Sequence, residues 1–338
     1  MKKTISFFSF ILFLFTGCEL NEDNQEINGN PKVFVLCEGN FGSNNAALWS
    51  IAPNESISET QILGGSSLGD VAQSMTIHEN RLYVVVNNSH KVEVFDLGDE
   101  ITHSETLTLN NASPRYFAAS GTIGYLSCWN LEAILLIDLT TLSVIDSIPV
   151  PGMPEDLILN STSLFASIPS NSDWSPANTV VQINTTTLEI ATSYEVINGP
   201  EDLELLGGYL YVASTYYGAD YSTYTGLSKI NLVTGDVTKN ENGANSVIKN
   251  DLITIDGNLY RLTVTGIAKI KNDLSLDIDQ IIGNISGVYS GSSDEDYIYF
   301  GITDYVAPDT VFVTNHDGTL VNQFTVGSIP GDFVSIDN

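Results

Sequence analysis

The chain has 338 residues, 43% of them hydrophobic, and a formal charge of -29 from 12 Lys and Arg against 41 Asp and Glu. That length can bury a large core. The charge repels phosphates, and no basic stripe offsets it, which excludes nucleic acid as a partner. An acidic surface of this kind suits solubility outside the cell.

At the N-terminus Lys2 and Lys3 precede an apolar run from Ile5 to Phe15, too short for a stable membrane span, so residues 1–17 read as a signal peptide. Phe15-Thr16-Gly17-Cys18 resembles a bacterial lipobox, in which the Cys18 thiol takes a diacylglyceryl group, although Phe15 stands where Leu is usual. The alternative is an ordinary secretory signal with a chance cysteine. Residues 18–30 are polar and acidic with little to bury, and are expected to form a disordered tether. Acidic residues directly after a lipidated cysteine are similar to the export signal that sends Bacteroidota lipoproteins to the outer face of the outer membrane.

From Pro31 onward Val, Ile, Leu, Tyr and Thr alternate with polar residues, without a long helical period, which predicts an all-β fold. Met153-Pro154-Glu155-Asp156-Leu157 returns as Gly199-Pro200-Glu201-Asp202-Leu203. Looser copies start at Gln73, Pro114, Ser246, Ile285 and Ile329, about 40 to 46 residues apart, the length of a four-stranded propeller blade. The last copy, Ile329 to Ile336, is one strand alone. The runs Val33 to Glu38, Ala46 to Ile51 and Ser58 to Leu63 lack an opening strand. Joining the two ends completes a seventh blade, so residues 31–338 are expected to form a seven-bladed β-propeller closed by its terminal strands, without exposed edges. Cys37 and Cys128 fall in strands of non-neighbouring repeats and are expected to be buried free thiols.

In such a propeller the loops between second and third strands share a face with the starts of the innermost strands, and ligands bind near the axis on that face. The loop from Tyr216 to Gly226 carries Tyr216, Tyr217, Tyr221 and Tyr224, and other blades add Phe41, Trp129, Trp174 and Tyr305. Tyr and Trp give large contact area with a polar tip, which suits a bulky amphipathic small molecule. Asn44, Asn45 and Arg115 sit on the same face and join them as candidate ligand contacts. The alternative is that the tyrosine loop packs on itself. Asp70, Asp156, Asp202, Asp251 and Asp332 are each expected just before an innermost strand, and could form a carboxylate ring for Ca²⁺ or another hard cation. The local alternative, a turn built by Asp accepting from backbone amides, is favoured because every repeat must rebuild its turn. No nucleophile elbow, His-Glu-x-x-His helix or phosphate-binding glycine loop occurs, so no catalytic residue is assigned.

Val35-Leu36-Cys37-Glu38-Gly39-Asn40-Phe41-Gly42-Ser43-Asn44-Asn45-Ala46-Ala47-Leu48 resembles the opening motif of a family of Bacteroidota surface lipoproteins with YncE-like propellers, with Cys37 in place of the usual Asn. The resemblance extends through the strand pattern and the Pro-Glu-Asp repeat starts. It implies an outer-membrane protein, lipid-anchored and facing the cell exterior, that captures vitamin B12 or another corrinoid and passes it to a TonB-dependent transporter, with no cofactor of its own. The family's ligand contacts lie in variable loops, so the site residues named above rest on loop position. An adhesion module using the same face for protein or glycan is the alternative, followed by an extracellular lyase or hydrolase.

Overall fold

The computed structural model describes residues 33–53, 59–98, 100–243, 248–306 and 308–336. Seven four-stranded antiparallel sheets follow one another around a closed ring. The only helical turns among the described residues are two 3-10 turns, Ile62–Gly65 and Trp129–Leu131. The signal peptide, Cys18, the tether and the repeat start at Ser246 lie outside the described residues.

Blade I joins the two ends of the chain. Its innermost strand is Pro330–Ser335, followed outward by Val33–Cys37, Ala47–Ile51 and Glu59–Gln61. Pro330–Ser335 runs antiparallel to Val33–Cys37, with Val33 opposite Ser335 and Val35 opposite Phe333. Blades II to VII begin with innermost strands Ala72–His78, Pro114–Ser120, Leu157–Asn160, Pro200–Leu206, Ile248–Ile255 and Val288–Ser293. The expected seven-bladed closure is therefore what the chain forms. At Ile285 the repeat start is early: the strand begins at Val288, and Ile285 packs in the linker against the core.

The core is not one cluster but seven, each filling the gap between two adjacent blades. Second strands explain how. Val33, Val35 and Cys37 face blade VII, while Phe34 and Leu36, pointing to the opposite side of the pleat, face blade II. Burial on both faces is why these runs are continuously apolar rather than alternating. The outermost strands, such as Ser143–Pro149, are exposed over most of their length and correspondingly polar. Cys37 and Cys128 are both free and buried, as expected.

Candidate functional site

A cavity of about 640 Å³ opens on the axis at the expected face. Its wall is built by one repeated position, the second residue of each innermost strand or the equivalent: Gln73, Arg115, Glu155, Glu201, Asn250 and Tyr289 from blades II to VII. Blade I has Gly331 at this position. A side chain there would collide with Glu38, since a Cβ on Gly331 would lie 2.2 Å from Glu38 Oε1. Glu38, at the end of the second strand, thus takes the seventh place from the neighbouring strand.

Among the described lining residues Arg115 is the one guanidinium, against six carboxyl side chains, Glu38, Glu155, Glu201, Asp202, Asp251 and Asp332. Its Nε donates to Glu155 Oε2 at 2.9 Å and its Nη2 to Glu155 Oε1 at 2.6 Å, a bidentate pair, while Nη1 donates to Gln73 Oε1 at 2.5 Å. The guanidinium carbon lies 4.0 Å from the centre of the Trp129 ring, a cation–π contact that fixes its plane. Behind the wall, Arg261 is fully buried and donates to the carbonyls of Gly226 at 2.6 Å and Ser214 at 3.0 Å. Burial lowers its pKa to about 10, opposed by the nearby Asp202 and Glu201 charges.

Burial in this crowded acidic wall disfavours ionised carboxylates. Glu201 is pushed up to about 8 by burial and by the Glu155 charge, with Arg115 pulling the other way. Glu38 is pushed up to about 7 by burial, although the Tyr289 hydroxyl donates to its Oε1 at 2.9 Å. Asp156 and Asp332 both rise to about 7, again chiefly through burial.

Four of the five repeated aspartates do more than build a local turn. Asp156, Asp202, Asp251 and Asp332 each reach across to the next blade. Asp332 accepts from Met75 N at 2.7 Å, Asp156 from Leu203 N at 2.9 Å, Asp202 from Leu252 N at 2.5 Å and Asp251 from Gly291 N at 2.8 Å. At the other three junctions a serine hydroxyl donates to the next blade's carbonyl: Ser74 to Arg115, Ser127 to Glu155 and Ser290 to Pro330. The ring is therefore an inter-blade clasp. Local capping is a secondary role, as when Asp156 Oδ1 accepts from Leu157 N. Asp70 does not belong to it. It holds the blade I loop instead, accepting from Gly42 N and Asn88 Nδ2, and the residue of blade II that takes the ring position is Ser74. Among the described residues no group of Asp, Glu, His or Cys is arranged to hold a metal ion.

Of the expected contacts, Arg115 and Trp129 line the cavity. Trp174 meets Trp129 edge-to-face at 5.6 Å, and Tyr305 meets the lining residue Tyr289 at 6.2 Å, so both adjoin the mouth. The tyrosine segment is not a loop from Tyr216 to Gly226. Its strands, Tyr209–Tyr217 and Thr223–Asn231, extend into it as a hairpin, with Tyr216 opposite Tyr224. Their rings stack at 5.2 Å and the Tyr216 hydroxyl donates to Glu241. These two tyrosines stiffen the hairpin, Tyr217 and Tyr221 are exposed, and none of the four lines the cavity. Phe41 is 80% exposed at its loop tip. Asn45 builds that loop by accepting from Asn40 N at 2.8 Å, and Asn44 takes a left-handed φ of 52° within it. Reading position from loops missed Glu38, Gln73, Glu155, Glu201, Asn250 and Tyr289. Part of the signal was in the repeat: Glu155, Glu201 and Asn250 each directly precede a recurring Asp, and Gln73 and Tyr289 directly precede the serine that takes its place.

No protein-family model matches the chain, and no curated protein matches it in sequence. Solved structures do match in fold. A hypothetical selenium-binding protein of Sulfolobus tokodaii superposes with a TM-score of 0.65 at 11% identity, covering 90% of this chain and 91% of its own. A Bacteroides fragilis protein described as a candidate 6-phosphogluconolactonase gives 0.63 at 14% identity, covering 92% and 99%. A catalytically inactive virginiamycin B lyase from Staphylococcus aureus, solved with quinupristin, gives 0.52 at 14% identity, covering 81% and 92%. At these identities the likeness establishes the architecture alone, a β-propeller whose structural neighbours carry unrelated activities.

Proposed function

We propose that this chain is a lipid-anchored outer-membrane protein, facing the cell exterior, whose propeller binds cobalamin or another corrinoid and delivers it to a TonB-dependent transporter. The observation that carries the reading is the open axial cavity of about 640 Å³, polar in its depth and bordered by Trp129, Trp174, Tyr289 and Tyr305 at its mouth. A corrinoid is a large amphipathic macrocycle ringed by amides. It exceeds this volume, so part of it would enter the cavity and the remainder would lie on the aromatic rim. The opening-motif resemblance and the lipobox-like Thr16-Gly17-Cys18 supply the anchoring and the partner.

The protein from residue 31 onward, titrated calorimetrically with cyanocobalamin and with cobinamide, is expected to give saturable one-to-one binding. Cells expressing the full chain should bind the same ligands at their surface and should lose that capacity on Cys18→Ala, because stable residence needs a lipoprotein's multiple chains. A well-folded protein that takes up neither ligand would overturn the reading. Binding of a glycan or protein in its place would favour the adhesion alternative.

A further inference from the structure

The mouth of the cavity has two aromatic edges, and the order of the blades sets where they stand. Trp129 belongs to blade III and Trp174 to blade IV, whereas Tyr289 and Tyr305 belong to blade VII. In a closed ring of seven, the junction of blades III and IV lies directly across the axis from blade VII. The two edges therefore face one another over an acidic floor.

Three loop tips on this face use the same device. Trp174, Tyr221 and Tyr305 each sit at positive φ, at 65°, 62° and 68°. Each follows an aspartate whose carboxylate accepts from the amide of the residue after the aromatic: Asp173 to Ser175, Asp220 to Ser222 and Asp304 to Val306. A bulky residue in the left-handed region is uncommon and held at a cost. Blade VI repeats the turn on the opposite face with Leu274 at φ 65°, following Asp273. There the tip residue is spent on packing, being 3% exposed within the core. On the cavity face the tips are 64% exposed at Trp174, 89% at Tyr221 and 57% at Tyr305. The turn that packs Leu274 against the protein thus holds Trp174 and Tyr305 against nothing of comparable extent, beside a cavity.

We propose that the mouth is a two-jawed slot for a flat ligand entering edge first, with Trp174 and Tyr305 closing on its faces and Glu38 and Glu201 accepting hydrogen bonds from donor groups on the leading edge. This rests on the corrinoid reading and adds to it the orientation and the selection rule. Six carboxyl side chains face one guanidinium in the lining, and Glu155 already pairs that guanidinium. Once ionised, the floor accepts hydrogen bonds far more readily than it donates them. An amide or ammonium edge is matched, whereas a carboxylate edge meets like charge.

Cobinamide, with amides around its ring, and cobyrinic acid, with carboxylates at the same positions, separate the possibilities. At about pH 9, above the values of about 7 for Glu38 and about 8 for Glu201, cobinamide should bind at least about tenfold more tightly, and Glu38→Gln with Glu201→Gln should bring the two within about threefold. Trp174→Ala and Tyr305→Ala, at exposed positions that leave folding intact, should each weaken cobinamide about tenfold without changing the ratio. Equal binding of the two corrinoids overturns the selection rule while leaving corrinoid capture standing. Cobinamide affinity untouched by either aromatic substitution overturns the jaws. Binding of neither compound overturns the slot together with the reading beneath it.

Discussion

Deleting Ile329–Asn338 leaves a chain that no longer melts as a cooperative unit. The segment supplies the innermost strand of blade I, and its loss strips Val33–Cys37 of a partner strand. Ile329, Pro330 and Phe333 are buried, and each large apolar side chain removed costs about 1.5–3 kcal/mol in transfer terms alone. Three ties go with them: the clasp from Asp332 to Met75 N, the bond from Glu38 N to Ile329 O at 2.8 Å, and the one from Ile329 N to Asp309 Oδ2 at 2.7 Å. A whole domain is stable by only about 5–15 kcal/mol, so the sum exceeds what the remainder can absorb. Calorimetry should show a broad, low-enthalpy transition or none. A truncated protein with the parent's melting temperature would mean that the terminal strand does not close the ring.

The melting temperature rises, by on the order of 5–10 °C, as pH falls from about 8.5 to about 6. Glu201 at about 8, and Glu38, Asp156 and Asp332 at about 7, all hold protons more tightly folded than unfolded, where an ordinary carboxylate range applies. Between that range and 7–8 the folded state carries protons that the unfolded state lacks. Stability is therefore gained as pH falls through the window and lost as pH rises through it, the reverse of a salt-bridged carboxylate with a depressed pKa. Glu201→Gln removes one of the groups that titrate across this window and should flatten the alkaline part of the curve. A melting temperature that is level over this range, or that climbs with pH, would show that the wall carboxyls are ionised throughout.

The blades were legible because the Pro-Glu-Asp starts of blades IV and V, and looser copies of them elsewhere, stand ahead of apolar runs buried on both faces. The function of the acidic pair was only half legible. Asp156 and Asp202 recur because each meets a backbone N–H of the next blade, as Asp251 and Asp332 do at two further junctions. The position before them varies from blade to blade and forms the cavity wall, with Glu155 and Glu201 ahead of the aspartates, Gln73 ahead of Ser74 and Arg115 ahead of Tyr116. Nothing in the spacing places Glu38 in that ring, since it comes from a second strand and fits only because Gly331 has no side chain. Asp70 precedes the innermost strand Ala72–His78 in sequence, yet the clasp position of that blade falls inside the strand, at Ser74, and Asp70 is left to hold a loop. In the tyrosine segment, composition suggested a pliable loop, while the alternation of Tyr216 and Tyr224 with Thr residues is that of paired strands.

The most direct test of the account is a crystal structure of the protein with cobinamide. The account predicts a corrin ring in the axial mouth, its amide edge toward Glu38 and Glu201 and its faces against Trp174 and Tyr305. A corrinoid bound elsewhere, on the outer strands or the blade V hairpin, with the cavity holding only water, would contradict it.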